Sequence, residues 1–520
     1  VGIWDYQPDE VVEKGRVGPG ELMVIDTRGG RILHSAETDH DLKSRHPYKE
    51  WMEKNVRRLV PFEDLSDEEV GRRELDDDTL ASFQKQFNYS AEELDSVIRV
   101  LGENGQEAVG SMGDDTPFAV LSSQPRIIYD YFRQQFAQVT NPPIDPLREA
   151  HVMSLATSIG REMNVFCEAE GQAHRLTFKS PILLYSDFKQ LTTMKEEHYR
   201  ADTLDITFDL TEASLEETVN ALCDKAEQMV RNGTVLLVLS DRNIAKNRLP
   251  VPAPMAVGAI QTRLVDKSLR CDANIIVETA SARDPHHFAV LLGFGATAIY
   301  PYLAYETLAR LVDTRAIDKD YRAVMLNYRN GINKGLYKIM SKMGISTIAS
   351  YRCSKLFEAV GLHDEVANLC FQGVVSRIGG AGFADFQQDL VNLSKRAWLA
   401  RKPLDQGGLL KYVHGGEYHA YNPDVVRTLQ QAVQSGEYSD YQQYAELVNN
   451  RPAATLRDLI ALNPGDEAVS IDEVEPASEL FKRFDTAAMS IGALSPEAHE
   501  ALAEAMNSIG GNSNSGEGGE

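Results

Sequence analysis

The sequence predicts an α/β fold in which helices flank a largely parallel sheet. Between about residues 111 and 464, short apolar segments alternate with amphipathic ones, the order typical of strands and helices in such a sheet. The segment 235–239 reads Val-Leu-Leu-Val-Leu and has no polar face, so we expect a strand that is buried on both sides. The strongest strand candidates are 204–210, 234–240, 274–279 and 296–300.

The clearest helix candidate is Leu215–Arg231. Its first turn is acidic, and Lys225 and Arg231 follow towards its carboxyl end, a distribution that the helix dipole favours. The pair Asn232-Gly233 then ends the helix. Helices of this kind between the predicted strands support the α/β assignment.

A small β-rich unit precedes the α/β region. The apolar segments 21–26 and 31–34 flank Thr27-Arg28-Gly29-Gly30, which predicts a hairpin because glycine readily adopts positive φ. The charged segment 63–106 has apolar residues at helical spacing, among them Leu80, Phe83 and Phe87, and we expect surface helices there.

A third unit follows the acidic connector 472–476. It predicts a strand over 484–491, a turn at Gly492-Ala493, and a helix that begins at Ser495-Pro496 and ends at Gly510-Gly511. This is the first βα unit of a (β/α)8 barrel, and so few repeats cannot close a sheet. We therefore expect a truncated barrel and four regions: 1–65, 66–110, 111–470 and 471–520.

Composition excludes several classes of function. The 520 residues suit two to four domains, and the net charge of −24 disfavours binding to nucleic acid. No apolar run approaches the ~20 residues that a membrane-spanning helix needs. The five cysteines are far apart and form no C-x-x-C pair, so we expect no metal site in this chain and a reducing, cytoplasmic location.

The segment 512–520, Asn-Ser-Asn-Ser-Gly-Glu-Gly-Gly-Glu, has two interpretations. Its composition is that of a flexible linker. Its position after a strand, a turn and a helix instead favours a functional loop at the carboxyl face of a barrel, where backbone N–H groups bind flavins or anions. Residues 489–493 either lie at the same face as part of this site or are only small residues in a tight turn.

Lys334, Lys338 and Lys342 form a basic stripe on one helix face. Such a stripe either binds phosphate or a partner's acidic patch, or is a solvated helix face. The pair His286-His287 lacks the spacing of metal ligands and predicts a surface pair at a helix start. Because the chain starts at Val1 and stops in a glycine-rich turn, we expect both ends to be cuts in a longer protein.

Several long stretches, in order along the chain, resemble the glutamate synthase large chain. They are 112–120, 129–146, 338–346, 415–419 and 484–520. The resemblance implies the end of a glutamine amidotransferase domain at 1–65, a helical connector at 66–110, the central domain at 111–470, and the start of the FMN-binding barrel at 471–520. It also implies that the full-length enzyme makes L-glutamate from L-glutamine and 2-oxoglutarate, using FMN, an iron–sulfur cluster, and electrons from NADPH or ferredoxin.

The resemblance assigns few site residues to this chain. Met489, Ser490, Gly492 and Ala493 would provide flavin-proximal backbone, and Glu517 would couple glutamine hydrolysis to the flavin site. The amino-terminal nucleophilic cysteine, the cysteine cluster and most of the barrel are absent from the sequence. We therefore expect this chain alone to be inactive and to bind no cofactor tightly.

The resemblance further implies a structural, ammonia-channel-forming role, with the rest of the large chain and a small NADPH-dependent subunit as partners. Two alternatives remain open. One is a free-standing flavin- or phosphate-binding module that uses the lysine stripe and the carboxyl-terminal glycines. The other is a scaffold whose acidic surface recruits partner subunits.

Overall fold

The computed structural model describes residues 5–71, 74–108, 110, 113–135, 144–399, 402–465 and 467–516. The chain divides into two compact units, residues 1–458 and 459–520. Among the described residues, no helix combines the length and the apolar character that crossing a membrane requires.

The strands are β1 Val24–Asp26, β2 Arg31–Leu33, β3 Arg57–Arg58, β4 Phe132–Gln134, β5 Thr157–Ile159, β6 Leu176–Phe178, β7 Ala201–Asp205, β8 Thr207–Asp209, β9 Leu236–Ser240, β10 Arg248–Pro250, β11 Asn274–Glu278, β12 Ala298–Tyr300, β13 Phe357–Leu362 and β14 Val375–Ala381. The helices are α1 Ser35–Ser44, α2 Tyr48–Asn55, α3 Asp67–Val70, α4 Asp77–Gln86, α5 Ala91–Glu93, α6 Arg99–Asn104, α7 Glu149–Val152, α8 Tyr185–Thr192, α9 Leu215–Arg231, α10 Ala253–Asp266, α11 Pro285–Gly293, α12 Tyr302–Asp313, α13 Tyr321–Met343, α14 Ile348–Tyr351, α15 Asp364–Cys370, α16 Phe383–Ala397, α17 Pro423–Ser435, α18 Tyr438–Asn449, α19 Ala477–Leu480 and α20 Pro496–Ser508.

A parallel sheet in the order β12-β11-β9-β7 forms the centre of the first unit, which confirms the α/β fold. Every residue of β9 and β11 is buried, as the apolar runs predicted. The strands expected at 234–240, 274–279 and 296–300 are all present in this sheet. Helices α8 and α9 pack against β7 and β9, and α10 packs against β11, because strands without a polar side must be shielded from water.

The predicted strand 204–210 is wrong in its extent. The sheet strand β7 ends at Asp205, whose carboxylate accepts hydrogen bonds from the Thr207 backbone N (2.8 Å) and the Thr207 hydroxyl (2.6 Å). This local turn redirects the chain, and β8 then pairs antiparallel with β10. The alternation of apolar and polar residues in this segment is that of one strand, and it does not reveal the turn that Asp205 makes.

Helix α9 has the predicted bounds. Its N-cap Ser214 accepts a hydrogen bond from the Glu217 backbone N, and the Glu217 carboxylate accepts one from the Ser214 backbone N (2.9 Å), a capping box that offsets unpaired donors. Val219, Leu222 and Val230 of this helix are buried. The apolar stripe and the cap together explain why sequence pattern located this helix correctly.

The basic stripe lies on α13, where Lys334, Lys338 and Lys342 are all exposed. Lys334 Nζ donates a hydrogen bond to a backbone oxygen of this chain, that of Gly105 (2.9 Å). Burial raises the pKa values of Glu107 and Glu149. The charge of Lys338 opposes this rise at both carboxylates, and the charge of Lys342 also opposes it at Glu149. Carboxylates of the same chain therefore already face the stripe, which favours the solvated-face interpretation.

The amino-terminal hairpin is confirmed, with Val24 paired to Leu33 in β1 and β2. In the second unit, α20 begins after the N-cap Ser495 as predicted. The strand expected over 484–491 is absent from the described residues, where only Asp485 forms a bridge, parallel to Asn512. A strand forms its hydrogen bonds only where a neighbouring strand runs beside it. Here the neighbouring segment is short, so the pairing extends over few residues.

Candidate functional site

The four residues expected near a flavin form one turn in the second unit. Ala493 N donates to Ser490 O (2.9 Å), which closes the turn across Gly492. Met489 and Ser490 are half-buried, whereas Gly492 and Ala493 are exposed. Beside Gly492, the closest heavy atom to an added Cβ would be Ser490 Oγ at 3.8 Å, so a ligand has room to approach the backbone there.

The glycine-rich segment returns beside this turn. Thr486 N donates to Asn512 O (3.1 Å), Asn512 N donates to Phe484 O (3.0 Å), and Asn514 N donates to Thr486 Oγ1 (2.9 Å). These bonds join the two ends of the βα unit in parallel, as the first two strands of a barrel are joined.

Gly516 brings the two predicted motifs together. Its φ of +82° suits glycine, and a Cβ built there would lie 3.7 Å from the Met489 carbonyl carbon. The turn at 489–493 and the loop at 512–516 therefore form a backbone cradle, which we call the carboxyl-terminal cradle. Its small residues and exposed backbone fit a flat cofactor ring or an anion. Glu517 lies outside the described residues.

The sequence analysis did not identify a second region as a site. Three cavities of about 690, 70 and 580 Å³ surround the segment 119–131 of the first unit, and Arg126 lines all three. The smallest cavity has mainly apolar walls that include Ile128, Phe386 and Leu393. We call this series the Arg126 cavities.

Arg126 is fixed by two carboxylates. Its Nε lies 2.8 Å from Asp130 Oδ2, and its Nη1 lies 3.1 Å from Glu417 Oε2. Burial pulls the Arg126 pKa down, but the two carboxylates more than offset this, so its pKa is raised and it stays charged. Glu417 also accepts hydrogen bonds from Ser122 Oγ (2.7 Å) and Tyr418 N (2.9 Å).

His419 joins two stretches that are distant in sequence. Its Nδ1 lies 2.8 Å from Asp115 Oδ1 and its Nε2 lies 2.7 Å from Gly408 O, so both ring nitrogens face acceptors. Burial lowers the His419 pKa, but the hydrogen bonds to the Gly408 carbonyl and to Asp115 raise it by more. The net pKa is therefore above its ordinary value, which favours the doubly protonated ring. Glu417 and His419 thus hold the walls of the largest cavities in place.

The carboxyl ends of the parallel strands, where many α/β proteins bind ligands, are filled by internal ion pairs. Glu278 accepts from Ser240 Oγ (2.6 Å) and from Arg242 Nε (2.7 Å), and Arg242 stacks on Tyr302 at 4.3 Å. Glu278, Ser240 and Arg242 pair with one another, which is typical of a structural element.

The histidine pair is not the surface pair that the sequence predicted. His287 is 3% exposed, and its Nδ1 accepts a hydrogen bond from the Arg283 backbone N (3.3 Å). Burial lowers the His287 pKa to about 4, so the ring is neutral near pH 7. The first turn of α11 packs inward, a tertiary arrangement that spacing does not reveal. Among the described residues, no group of three potential ligands could hold a metal ion.

Comparison with known proteins identifies the matching families. A family model described as the glutamate synthase central domain matches residues 82–363, more than half of the chain. A conserved region in glutamate synthase matches 419–520, and class-II glutamine amidotransferases match 1–51.

Curated relatives match along the whole chain. The ferredoxin-dependent glutamate synthase of Cyanidium caldarium is 39% identical over 542 residues, covering 100% of this chain and 34% of its own length. The large chain of the NADPH glutamate synthase of Bacillus subtilis is 37% identical over 522 residues, with coverage of 100% and 34%. The chain therefore spans about a third of the length of the curated relatives it matches.

The flavin-binding domain of baker's yeast flavocytochrome b2 is among the similar solved structures. It is 15% identical and covers 31% of this chain and 40% of its own, with a TM-score of 0.21. So low a score supports no conclusion about fold or function.

Proposed function

The chain belongs to the glutamate synthase family, and we propose from this that it is the central, channel-forming part of an enzyme that makes L-glutamate from L-glutamine and 2-oxoglutarate. Residues 1–65 would be the end of the amidotransferase domain, and residues 66–110 would form a helical connector. Residues 111–470 would form the central domain, and residues 471–520 would begin the FMN-binding barrel. A protein limited to these 520 residues would lack both reaction centres and would be inactive.

The Arg126 cavities carry the channel proposal. The two large cavities share Gln124, Pro125, Arg126 and Arg396 as wall residues, and the small apolar cavity shares Arg126 with both. Two wide spaces therefore adjoin one narrow, apolar-walled space. The large cavities also adjoin each other along their shared wall residues, and we propose that the passage follows the narrow, apolar-walled space beside Arg126.

The walls suit neutral ammonia better than its cation. An ammonium ion would have to give up its hydration at the apolar constriction, which is costly without a compensating charge. Ammonia released by glutamine hydrolysis would therefore pass unprotonated.

Leu393→Trp in the full-length enzyme should test this proposal, because the larger ring fills the small cavity. We expect glutamine-dependent oxidation of the electron donor to fall about tenfold, equal to a barrier ~1.4 kcal/mol higher. Glutamine hydrolysis should continue, and activity with added ammonium salts, which enter from solvent, should remain. The rates of donor oxidation and of glutamine hydrolysis are measured in parallel, together with the release of free ammonia.

The matched control is Leu399→Trp, the same change at an exposed position just beyond α16. It should leave the coupling between glutamine hydrolysis and donor oxidation unchanged. Overpacking at Leu393 would cost about 1–3 kcal/mol of stability. Thermal unfolding of both variants therefore accompanies the assay. An unchanged ratio of donor oxidised to glutamine hydrolysed in a folded Leu393→Trp enzyme would rule out this passage.

FMN in the full-length enzyme would be held in part by the carboxyl-terminal cradle, with Met489, Ser490, Gly492 and Ala493 against it. When bound, FMN supplies the electrons for reduction. This chain's own contribution would be to position backbone groups and leave space, as the open side of Gly492 allows. The iron–sulfur cluster would be bound by residues beyond this chain.

Glu517 would act as a coupling residue between the two reaction centres. A carboxylate among glycines can change its contacts at low cost, because the backbone is not confined to one conformation. In full-length Glu517→Gln, glutamine hydrolysis should lose its dependence on 2-oxoglutarate and reductant. Hydrolysis that responds to both ligands as in the wild type would contradict this role.

Partners of this region would be the remainder of the large chain and, in an NADPH-dependent enzyme, a small electron-donating subunit. All five cysteines are free thiols, which supports a reducing compartment such as the cytoplasm.

A further inference from the structure

We propose that a cleft at the amino end of the parallel sheet binds a small oxyanion, either phosphate or a dicarboxylate. The cleft has a volume of about 300 Å³, at the lower end of the range for small-molecule sites. The cleft lies where β12 begins. Arg283, which lines the Arg126 cavity of about 580 Å³, instead follows the carboxyl end of β11. Its walls are formed by Ala156, Thr157, Ser158, Glu162, Arg175, Leu292, Thr297, Ile348, Ala349 and Arg352.

Two arginines line the cleft with donors to spare. Arg175 Nη1 donates to Gly160 O at 2.9 Å. The half-buried Arg352 side chain makes no hydrogen bond or ion pair with any residue that the structure describes. A guanidinium presents a planar fork of donors that matches carboxylate and phosphate oxygens.

A third guanidinium adds positive charge behind these two. Arg270 donates to Gln261 Oε1, to Ala273 O (2.5 Å) and to Gly295 O (3.2 Å), all of which are neutral. Burial lowers the Arg270 pKa, and the charge of Arg352 lowers it further. Arg175 and Arg352 thus line a space in which Glu162 is the one carboxylate among the described lining residues, and Arg270 lies near enough to Arg352 for their charges to repel. An anion would relieve this repulsion in a chain that is otherwise strongly acidic.

Thr297 supplies an independent indication. The residue is 1% exposed, and its Oγ1 has no hydrogen-bond partner among the described residues. A buried hydroxyl without a partner is unfavourable, and nearly all such groups in folded proteins are paired. Thr297 lines the cleft, and a small local shift that uncovers its Oγ1 would let a bound oxyanion accept the missing hydrogen bond.

Isothermal titration of the full-length protein with inorganic phosphate and, separately, with succinate tests the proposal. We expect at least one of them to bind with a dissociation constant of about 1 mM or tighter, and Arg352→Ala to weaken it at least tenfold. Arg352→Lys, which retains the charge but not the fork, should lose part of this affinity. Comparing variants isolates the cleft from any other anion site in the protein.

Arg427→Ala is the charge-matched control, because Arg427 is exposed on α17 and, within the part of the chain that the structure describes, pairs with one surface carboxylate, that of Asp424. It should bind both anions as the wild type does. Binding of phosphate alone or of succinate alone would support the site and identify the kind of oxyanion. The absence of binding by both anions, or equal affinity in Arg352→Ala, would overturn it.

Thr297→Val provides a test that does not depend on a charge change. Without anion, the variant should unfold at the same or a higher temperature than the wild type, because it removes an unpaired hydroxyl of similar shape. With saturating anion, the wild type should gain more thermal stability than the variant. An equal gain in both proteins would exclude Thr297 from the site and contradict the proposal.

Discussion

Arg283→Met should destabilise the first unit by about 3–5 kcal/mol, the cost typical of removing one partner from a buried ion pair. Arg283 is 2% exposed and forms a forked pair with Glu93, at 2.8 Å from Nε to Oε1 and 3.1 Å from Nη2 to Oε2. The free energy of unfolding is measured by urea titration at pH 7. The loss should appear as a lower midpoint with an unchanged slope.

The size of this effect follows from what would be left behind. The guanidinium also donates to Phe87 O (3.0 Å) and Asn88 O (3.1 Å), and it lies 4.3 Å from the ring centroid of Tyr89. Methionine fills part of the volume but provides none of these donors. Two carbonyl groups and the Glu93 carboxylate would therefore lose their partner in a poorly hydrated position.

Arg377→Met is the matched control, because Arg377 forms an ion pair with Glu358 on the surface and its side chain is 72% exposed. It should cost at most about 1 kcal/mol. The double variant Arg283→Met, Glu93→Gln should recover part of the loss, since it removes the uncompensated charge. A loss near that of Arg377→Met would mean that the buried pair contributes little.

Gly361→Ala should be the most damaging single-methyl addition in the β13–β14 region, at about 3 kcal/mol from combined backbone strain and overpacking. Gly361 has a φ of +86°, and its added Cβ would lie 2.3 Å from Val120 Cβ. The clash is with Val120 Cβ itself, which the backbone of the helical turn 119–121 fixes, since Leu121 N donates to Phe118 O (2.8 Å) and Ser122 N to Ala119 O (3.2 Å). Thermal and urea unfolding would both report the loss.

Gly379→Ala is its matched control in the paired strand β14. An added Cβ there would meet no atom within 4 Å, and the φ of Gly379 is not in the positive region. Its effect should be within about 0.5 kcal/mol, as for most surface changes. If both alanines were tolerated equally, the close approach of β13 to the 119–121 turn would not be a rigid feature of the fold.

Local pattern was sufficient for much of the architecture. The strands around Leu237, Ile276 and Ile299 lack polar faces, and helix α9 has a cap, an apolar stripe and a glycine stop; each signal lies within one short segment. The α/β fold, the hairpin and helix α20 followed from such signals. The family was recognised from long ordered motifs, and the comparisons support it.

The positions of polar groups in three dimensions were beyond the sequence. Nothing near Arg126 indicates that Glu417, 291 positions away, accepts its hydrogen bond, or that His419 joins Asp115 to Gly408. The predictions of a surface position for His287 and of an unbroken strand through Asp205 were likewise wrong. The tertiary partners of a side chain decide whether it is buried in the protein.

The carboxyl-terminal cradle combines both kinds of information. Sequence alone determined its residue types, a small-residue turn followed by a glycine-rich loop, because these have local conformational preferences. Only the tertiary structure decided that Gly516 lies against Met489, since that contact depends on the parallel pairing at Asp485 and Asn512. Cavities and the oxyanion cleft belong to the same category: they are spaces between elements, and packing rather than local sequence determines their walls.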